Sequence, residues 1–145
     1  MKILMVCLGN ICRSPLAEGI MQHLVKEEGL NWTIDSAGTG SWHVGEGPDR
    51  RSTRAALNRG VDISKQVCRQ FKTGDFDNFD LILVMDRNNL SDVVAKARNA
   101  NDIEKVRLLL TDKEVPDPYY DDNQFAPVYD LIENGCRNVI RELTT

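Results

Sequence analysis

Residues 2–20 read KILMVCLGNICRSPLAEGI, and this stretch decides the fold. Lys2 to Val6 is a short apolar run, which predicts a buried β-strand because it is too short to span a membrane. Pro15 is typical of a helix start, and the residues after it carry apolar side chains at helical spacing. A strand that passes through the turn Cys7–Pro15 into a helix is the opening unit of an α/β domain.

The rest of the chain alternates strand and helix patterns in the same way. Three further strands are predicted from bounded apolar runs, at Trp32–Asp35, Leu81–Met85 and Val106–Leu110. Three further helices are predicted from helical spacing, at Arg50–Asn58, at about Asn88–Ala97 and around Val128–Ile140. With no repeat or linker, we expect residues 1–145 to form one α/β domain with a mostly parallel sheet. Ligands then bind at the carboxyl ends of the strands, where Cys7 falls.

The composition is typical of one soluble domain, with 145 residues, of which 41% are hydrophobic and 28% charged. The formal net charge of −4 argues against general binding to nucleic acid or to acidic membranes, so any bound anion must be held locally. Because no targeting signal is present, we expect a cytoplasmic protein whose four cysteines remain thiols. The two histidines lack metal-ligand spacing, so no metal site is predicted.

The turn Cys7–Pro15 has the features of an anion-binding loop. Because it joins a strand to a helix, its backbone amides and the positive end of the helix dipole can surround a tetrahedral anion. Gly9 permits close approach of the backbone, and Asn10 tolerates a left-handed conformation. The planar fork of Arg13 can bind two oxygens of a phosphoryl group. Phosphate is the predicted ligand, and the glycine motifs of NTP and NAD sites are absent.

Cys7 is the predicted nucleophile of this loop. The amides, the helix dipole and Arg13 all favour its thiolate form. Ser14 can donate its hydroxyl hydrogen to the sulfur and so stabilise the thiolate before and after the reaction. The leaving oxygen needs an acid, and Asp117, which lies between two prolines, is the candidate. From the local pattern alone, a solvated turn residue is the better interpretation of Asp117.

The segments Cys7–Pro15 and Asp117–Tyr120 together resemble the low-molecular-weight protein tyrosine phosphatase family. Further stretches follow in the family's order and extend the resemblance over essentially the whole chain: Ile34–Ser36, Trp42–Gly45, Pro48–Asp49, Phe79–Asp80 and Val84–Asp86. The resemblance implies a four-stranded parallel sheet of order 2-1-3-4 flanked by helices, with the phosphate-binding loop after strand 1. It also implies that no metal or organic cofactor is used.

By this resemblance the protein is a hydrolase acting on phosphotyrosine-containing proteins through a phosphocysteine. A monomer is the simplest expectation for its oligomeric state. Cys7 would attack phosphorus, Arg13 would bind the phosphate, and Asp117 would act first as general acid and then as general base. The loop residues implied to surround the phosphate are Leu8, Gly9, Asn10, Ile11, Cys12 and Ser14. The residues implied to support the loop are Ser36 and Gln66, and those implied to form the slot for the phenyl ring are Trp42, Tyr119 and Tyr120.

Two positions depart from the family pattern. Gln66 stands where relatives usually place a histidine before the Arg-Gln pair, here Arg69-Gln70. We expect Gln66 to bond an asparagine side chain and, because it cannot become cationic, to alter the pH profile. Glu46 stands where relatives often carry a basic residue. It is either part of an acidic rim that disfavours acidic phosphopeptides or an ordinary solvated charge.

Cys12 is implied by the resemblance to form a reversible disulfide with Cys7 that protects the nucleophile from overoxidation. The alternative is a small apolar residue that packs behind the loop. Cys68 and Cys136 are expected to be structural.

Three other functions share parts of this sequence pattern. A thioredoxin-coupled arsenate reductase needs a pair of resolving cysteines near residues 70 to 90, and this chain has none there. Protein arginine phosphatases tend to place threonine where this chain has Ile11. A module that binds phosphate without turnover needs only the loop and Arg13, so the presence of both Cys7 and Asp117 argues against it.

Overall fold

The computed structural model describes residues 1–145, and one parallel sheet lies at its centre. The strands are β1 (Lys2–Cys7), β2 (Thr33–Gly38), β3 (Leu81–Val84) and β4 (Val106–Leu108). They lie in the order β2-β1-β3-β4, and every neighbouring pair is parallel. The predicted sheet order is confirmed, and β1 has a hydrogen-bonded partner on each side.

Six α-helices accompany the strands. They are α1 (Arg13–Glu27), α2 (Arg50–Leu57), α3 (Asp75–Asn78), α4 (Arg87–Val94), α5 (Ala100–Glu104) and α6 (Phe125–Thr144), and a 3₁₀ turn at Asp122–Gln124 precedes α6. The apolar spacing predicted α1, α2, α4 and α6 but missed α3 and α5, which are too short to show a helical repeat. None of these helices has both the length and the apolar character needed to cross a membrane.

β1 is apolar because both of its faces are covered, as expected for a central parallel strand. Ile3 and Met5 belong to a cluster of 24 buried residues that includes side chains of α1 and α6. Leu4 and Val6 belong to a cluster of 9 buried residues on the opposite face. Burial of each such side chain contributes about 1.5–3 kcal/mol. The carboxyl end of β1 is therefore fixed from both sides.

β2 supports the loop that follows β1. It ends at Gly38, which lies opposite Cys7 in the strand register. A Cβ atom on Gly38 would lie 2.9 Å from the carbonyl oxygen of Leu8 and 3.1 Å from Cβ of Asn10. The Gly38 amide also donates to the Arg69 carbonyl oxygen at 2.9 Å. Only glycine allows this close approach, because one of the neighbouring atoms is loop backbone that cannot rotate away.

We expect Gly38→Ala to lower the free energy of unfolding by about 1–3 kcal/mol, because the added methyl group overpacks against the loop. Urea unfolding followed by circular dichroism measures this loss. Gly74→Ala is the control, since no heavy atom lies within 4 Å of a Cβ placed there. Equal losses in the two variants would contradict the close-approach argument.

Candidate active site

The loop between β1 and α1 is held in shape by the side chain of Asn10. Asn10 has a φ of 57° and is the one non-glycine residue with a positive φ. Its Nδ2 donates to Ser14 Oγ at 2.8 Å and to Ser36 Oγ at 2.9 Å, and its Oδ1 accepts from the Arg69 amide at 3.0 Å. Asn10 is buried, so water does not compete for these bonds. One side chain thus joins the loop to α1, β2 and the segment 65–70.

Cys7 lies at the end of β1 and is buried. Its Sγ is 3.0 Å from Ser14 Oγ. Because Ser14 Oγ already accepts a hydrogen bond from Asn10, its own hydrogen is available to the sulfur. The unpaired amides at the start of α1 and the guanidinium of Arg13 add positive potential. These groups are arranged to stabilise negative charge on the sulfur.

Arg13 is the first residue of α1, and its guanidinium is anchored by distant parts of the chain. Nη1 donates to Asp86 Oδ2 at 2.7 Å and to the Val115 carbonyl oxygen at 3.0 Å. Asp86 is itself fixed, because its Oδ1 caps α4 by accepting from the Asn89 amide at 2.8 Å. Nη2 lies 3.9 Å from Asp117 Oδ2. Arg13 lines the cavity described next, where its remaining N–H groups can serve an anion.

A cavity of about 370 Å³ opens above the loop. It brings together most of the predicted site residues, and its lining consists of Cys7, Leu8, Gly9, Ile11, Cys12, Arg13, Trp42, His43, Asp117, Tyr119 and Tyr120. The other predicted residues, Asn10, Ser14, Ser36 and Gln66, are not part of this lining. The cavity is therefore a single compartment that contains a thiol, a guanidinium, a carboxyl group and aromatic walls.

Asp117 and the two tyrosines form one side of the cavity. The side chain of Asp117 is 41% exposed, and its Oδ1 accepts from the Tyr119 amide at 3.1 Å, which fixes the turn. The rings of Tyr119 and Tyr120 meet edge to face, with centroids 5.0 Å apart. Trp42 and Tyr120 are well exposed, so these aromatic walls reach the solvent. The carboxyl group of Asp117 thus faces both the cavity and the solvent.

His43 also lines the cavity, although it was not among the predicted site residues. Its Nδ1 lies 3.2 Å from each carboxylate oxygen of Glu46. Glu46 is therefore not an isolated rim charge, because it pairs with a ring at the edge of the cavity. A Cβ atom on Gly9 would lie 3.3 Å from His43 Cδ2, so the small residue in the loop makes room for the imidazole.

Two further thiols lie beneath the loop, those of Cys12 and Cys68, which share a small buried cluster. Burial, with the nearby charges of Asp49 and Cys7, raises the pKa of Cys12 to about 12. Burial, followed by the influence of Cys7, raises the pKa of Cys68 to about 11. Both thiols stay protonated near neutral pH, so neither is a reactive nucleophile.

Gln66 does not bond the side chain of Asn10, contrary to the expectation from sequence. Its Nε2 donates to the Pro15 carbonyl oxygen at 3.1 Å, and its Oε1 is buried without a hydrogen-bond partner. The Asn10 oxygen is instead satisfied by the Arg69 backbone amide, which lies closer to the loop. Gln66 therefore supports the first turn of α1, and it contacts the loop only through that turn.

Two residues that contact the site residues were missed in the sequence. Asp86 anchors Arg13, and the buried Glu18 accepts a hydrogen bond from Ser36 Oγ at 2.7 Å. A signal for Asp86 exists, because it follows the end of β3 closely and the carboxyl ends of parallel strands share one edge of the sheet. Glu18 leaves no such signal, since a glutamate in an amphipathic helix normally faces water.

The fold and the site together define a class of protein in which the first strand of a parallel α/β domain carries a cysteine into an anion-binding loop. Comparison with known proteins narrows this class. The sequence profile described as low molecular weight phosphotyrosine protein phosphatase matches residues 2–145. A Synechocystis protein with the provisional name low molecular weight protein-tyrosine-phosphatase is 45% identical over 152 residues, covering 99% of this chain and 96% of its own.

Solved structures agree with the sequence relatives. A protein tyrosine phosphatase from Entamoeba histolytica, crystallised with Hepes in its active site, has a TM-score of 0.92 and 38% identity, covering 99% of this chain and 96% of its own. The Drosophila arginine phosphatase has a TM-score of 0.93 and 33% identity, covering 100% of this chain and 99% of its own. The chain belongs to the low molecular weight phosphotyrosine protein phosphatase family.

We expect Asp86→Asn to weaken the binding of inorganic phosphate by about tenfold, because the Arg13 guanidinium loses the charge-assisted bond that orients it toward the cavity. Asparagine still caps α4, so the fold is retained. Competitive inhibition by phosphate measures the change. Asp92→Asn, which removes an exposed carboxyl group from the same helix, is the control. Unchanged or tighter phosphate binding in Asp86→Asn would contradict the anchoring role.

Proposed function

We propose that this protein hydrolyses phosphotyrosine in proteins through a phosphocysteine on Cys7. The observation that supports this mechanism is the presence of Cys7, Arg13 and Asp117 in one cavity, with the thiol at the end of β1 and the carboxyl group in the wall. Neither step of the mechanism requires a metal ion or an organic cofactor, because the loop amides and Arg13 supply the positive charge.

In the first step the substrate phosphate occupies the loop, where backbone amides and Arg13 bind its oxygens. The Cys7 thiolate attacks phosphorus in line with the phenolic oxygen, so an S–P bond forms as the P–O bond breaks. Asp117 donates its proton to the departing phenolate. Arg13 contributes most when charge builds up on the equatorial oxygens, and its anchoring to Asp86 holds it ready before the substrate arrives.

In the second step Asp117, now ionised, takes a proton from water as the water oxygen attacks the phosphocysteine. The S–P bond breaks, phosphate is released, and the Cys7 thiolate accepts the Ser14 hydrogen bond again. One carboxyl group thus serves both half-reactions. Its exposure supports this dual role, because a solvated aspartate can lose and regain its proton within each cycle.

The aromatic walls support an aryl phosphate as the substrate. Trp42, Tyr119 and Tyr120 give the cavity apolar sides that suit a phenyl ring, while the loop suits the phosphate. Hepes, which occupies the active site of the Entamoeba relative, carries a sulfonate and so has the same tetrahedral oxyanion geometry. Phosphoarginine is the second candidate because of the Drosophila relative. Ile11 lines the cavity here, and its bulky apolar side chain favours a phenyl ring over a guanidinium.

Hydrolysis of phosphotyrosine, phosphoserine and phosphoarginine, with and without EDTA, tests the proposal. We expect EDTA-insensitive turnover of phosphotyrosine that is abolished in Cys7→Ser. Asp117→Ala should lower kcat by about 10²–10⁴-fold, the usual contribution of a general acid. The loss should be smaller for p-nitrophenyl phosphate than for phenyl phosphate, because p-nitrophenolate leaves without a proton.

Other outcomes of this experiment distinguish the alternatives. A preference for phosphoarginine would assign the chain to the arginine phosphatases. Binding of phosphate without turnover would indicate a binding module. Equal losses of the two aryl phosphates in Asp117→Ala would contradict its role as the acid.

We further propose that Cys12 protects Cys7 from overoxidation in a cytoplasmic, monomeric enzyme. A hydroperoxide would oxidise the Cys7 thiolate to the sulfenic acid. The Cys12 thiol would then attack this sulfur, releasing water and forming a disulfide that cellular thiols reduce. The raised pKa of Cys12 supports this order of events, because a protonated thiol reacts slowly with the oxidant.

We expect peroxide-treated parent enzyme to regain activity with dithiothreitol and Cys12→Ser to lose it permanently, as Cys7 proceeds to the sulfinic acid. Activity recovery and intact mass report both results. Cys136→Ser, in which a thiol is removed from α6, is the control. Permanent loss in the parent, or full recovery in Cys12→Ser, would contradict the protective disulfide.

A further inference from the structure

The hydrogen bonds that hold Cys7 continue through the loop and end on a buried carboxyl group. From the sulfur they pass to Ser14 Oγ (3.0 Å), then through Asn10 Nδ2 (2.8 Å and 2.9 Å) to Ser36 Oγ, and finally to Glu18 Oε1 (2.7 Å). All five residues are buried, with Glu18 only 9% exposed. A continuous polar chain therefore joins the nucleophile to a titratable group that the mechanism above does not use.

The number of hydrogens sets the direction of this chain. Asn10 Nδ2 has two hydrogens, and it donates one to each serine oxygen. Each serine must then donate its own hydrogen away from Asn10, so Ser14 donates toward Cys7 and Ser36 donates toward Glu18. An ionised Glu18 can only accept, which preserves this direction. A protonated Glu18 can instead donate its hydrogen to Ser36 Oγ. The Ser36 hydrogen must then turn away from Glu18, and it competes for space with the hydrogen that Asn10 Nδ2 donates to Ser36 Oγ.

The surroundings of Glu18 leave its charge only partly compensated. On its own helix, Gln22 Nε2 donates to Oε2 at 3.3 Å. From β2, the carboxylate of Asp35 opposes a second negative charge. From the segment 65–70, Arg69 is favourable, but its guanidinium is already bonded to Asp35 and Asp75. Burial, which outweighs the Ser36 hydrogen bond, raises the pKa of Glu18 to about 7.

Gln66 adds no charge to this region. Its amide packs against the same helix, with Nε2 3.7 Å from a Cβ placed on Gly19, and it bonds the Pro15 carbonyl oxygen. Because this side chain stays neutral at every pH, no cation at position 66 holds Glu18 in its ionised form. Arg69, already bonded to Asp35 and Asp75, is therefore the cation that acts on Glu18.

We infer that Glu18 is a positioning residue of this enzyme, and that its ionised form, acting through Ser36 and Asn10, keeps the Ser14 hydroxyl directed at Cys7. The inference rests on the proposed role of Cys7. Loss of the Glu18 proton raises turnover and gain of the proton lowers it, while substrate binding is unaffected because Glu18 does not line the cavity.

The pH dependence of kcat for p-nitrophenyl phosphate in the parent and in Glu18→Gln tests this inference. Glutamine is a neutral match for the protonated carboxyl group. Above about pH 8 we expect kcat of the variant to be roughly tenfold lower than that of the parent. This loss is smaller than the ~100-fold loss caused by a 1 Å misplacement of a reacting group, because Glu18 acts only through other residues. The two enzymes should converge below about pH 6, with similar KM throughout. Glu28→Gln, an exposed carboxyl group at the end of α1, is the control and should follow the parent.

Thermal unfolding of the same variants without substrate provides a second readout. A carboxyl group whose pKa is raised from 4.5 to about 7 stabilises the fold below about pH 4.5, and this contribution is lost as pH rises through 7. The Tm of the parent should therefore fall relative to that of Glu18→Gln between about pH 5 and pH 8. A Tm difference and a kcat ratio that are both constant with pH would overturn the inference.

The two readouts separate this inference from the proposed function. If Cys7→Ser keeps phosphotyrosine turnover, the proposed function fails, while the Tm difference between parent and Glu18→Gln still changes with pH. If turnover requires Cys7 but the kcat ratio is constant with pH, the positioning role of Glu18 alone fails.

Discussion

The buried side chain of Asn10 is the interaction on which the rest of the site depends. A loop that directs several amides toward one anion must reverse its backbone, and here the reversal uses a left-handed residue at a cost of about 1–2 kcal/mol. Three hydrogen bonds to Ser14, Ser36 and the Arg69 amide offset this cost. Each bond comes from a different part of the chain, so the loop has its shape only when α1, β2 and the segment 65–70 are all in place. The geometry of the loop therefore depends on the folding of the whole domain.

The positive potential of the site comes from groups within it, because the chain as a whole has a formal net charge of −4. Arg13 is buried, and although burial lowers its pKa, the neighbouring Cys7 and Asp86 raise it above the ordinary value. A buried ion pair with Asp86 contributes little net stability, because desolvation of the two charges cancels much of their attraction. Its value is geometric. Asp86 takes one edge of the guanidinium and is itself fixed as the cap of α4, which leaves the other edge for phosphate.

The sequence predicted those parts of the molecule that depend on neighbouring residues. β1, the loop and α1 are contiguous, and a buried strand followed by Gly9, Asn10 and Arg13 has few other interpretations. Asp117 required the family resemblance, because its local pattern is also that of a surface turn. The bonds of Asp86 to Arg13 and of Glu18 to Ser36 join segments that are distant in sequence, so a local pattern does not show them. Gln66 shows this limit, because it lies near the loop as expected but bonds the Pro15 carbonyl oxygen, while the Arg69 backbone amide bonds the Asn10 side chain.

Two cysteines of one loop have opposite chemistry, and their neighbours explain why. Cys7 faces the Ser14 hydroxyl and the Arg13 guanidinium, which stabilise negative charge on its sulfur. Cys12 is buried in an apolar cluster and lies near the carboxylate of Asp49, so negative charge on its sulfur is opposed. Because charging the Cys7 sulfur itself raises the pKa of Cys12, a thiolate at the first position helps to keep the second thiol protonated. The groups around the loop thus favour negative charge on one sulfur and oppose it on the other, which supports Cys7 as the proposed nucleophile.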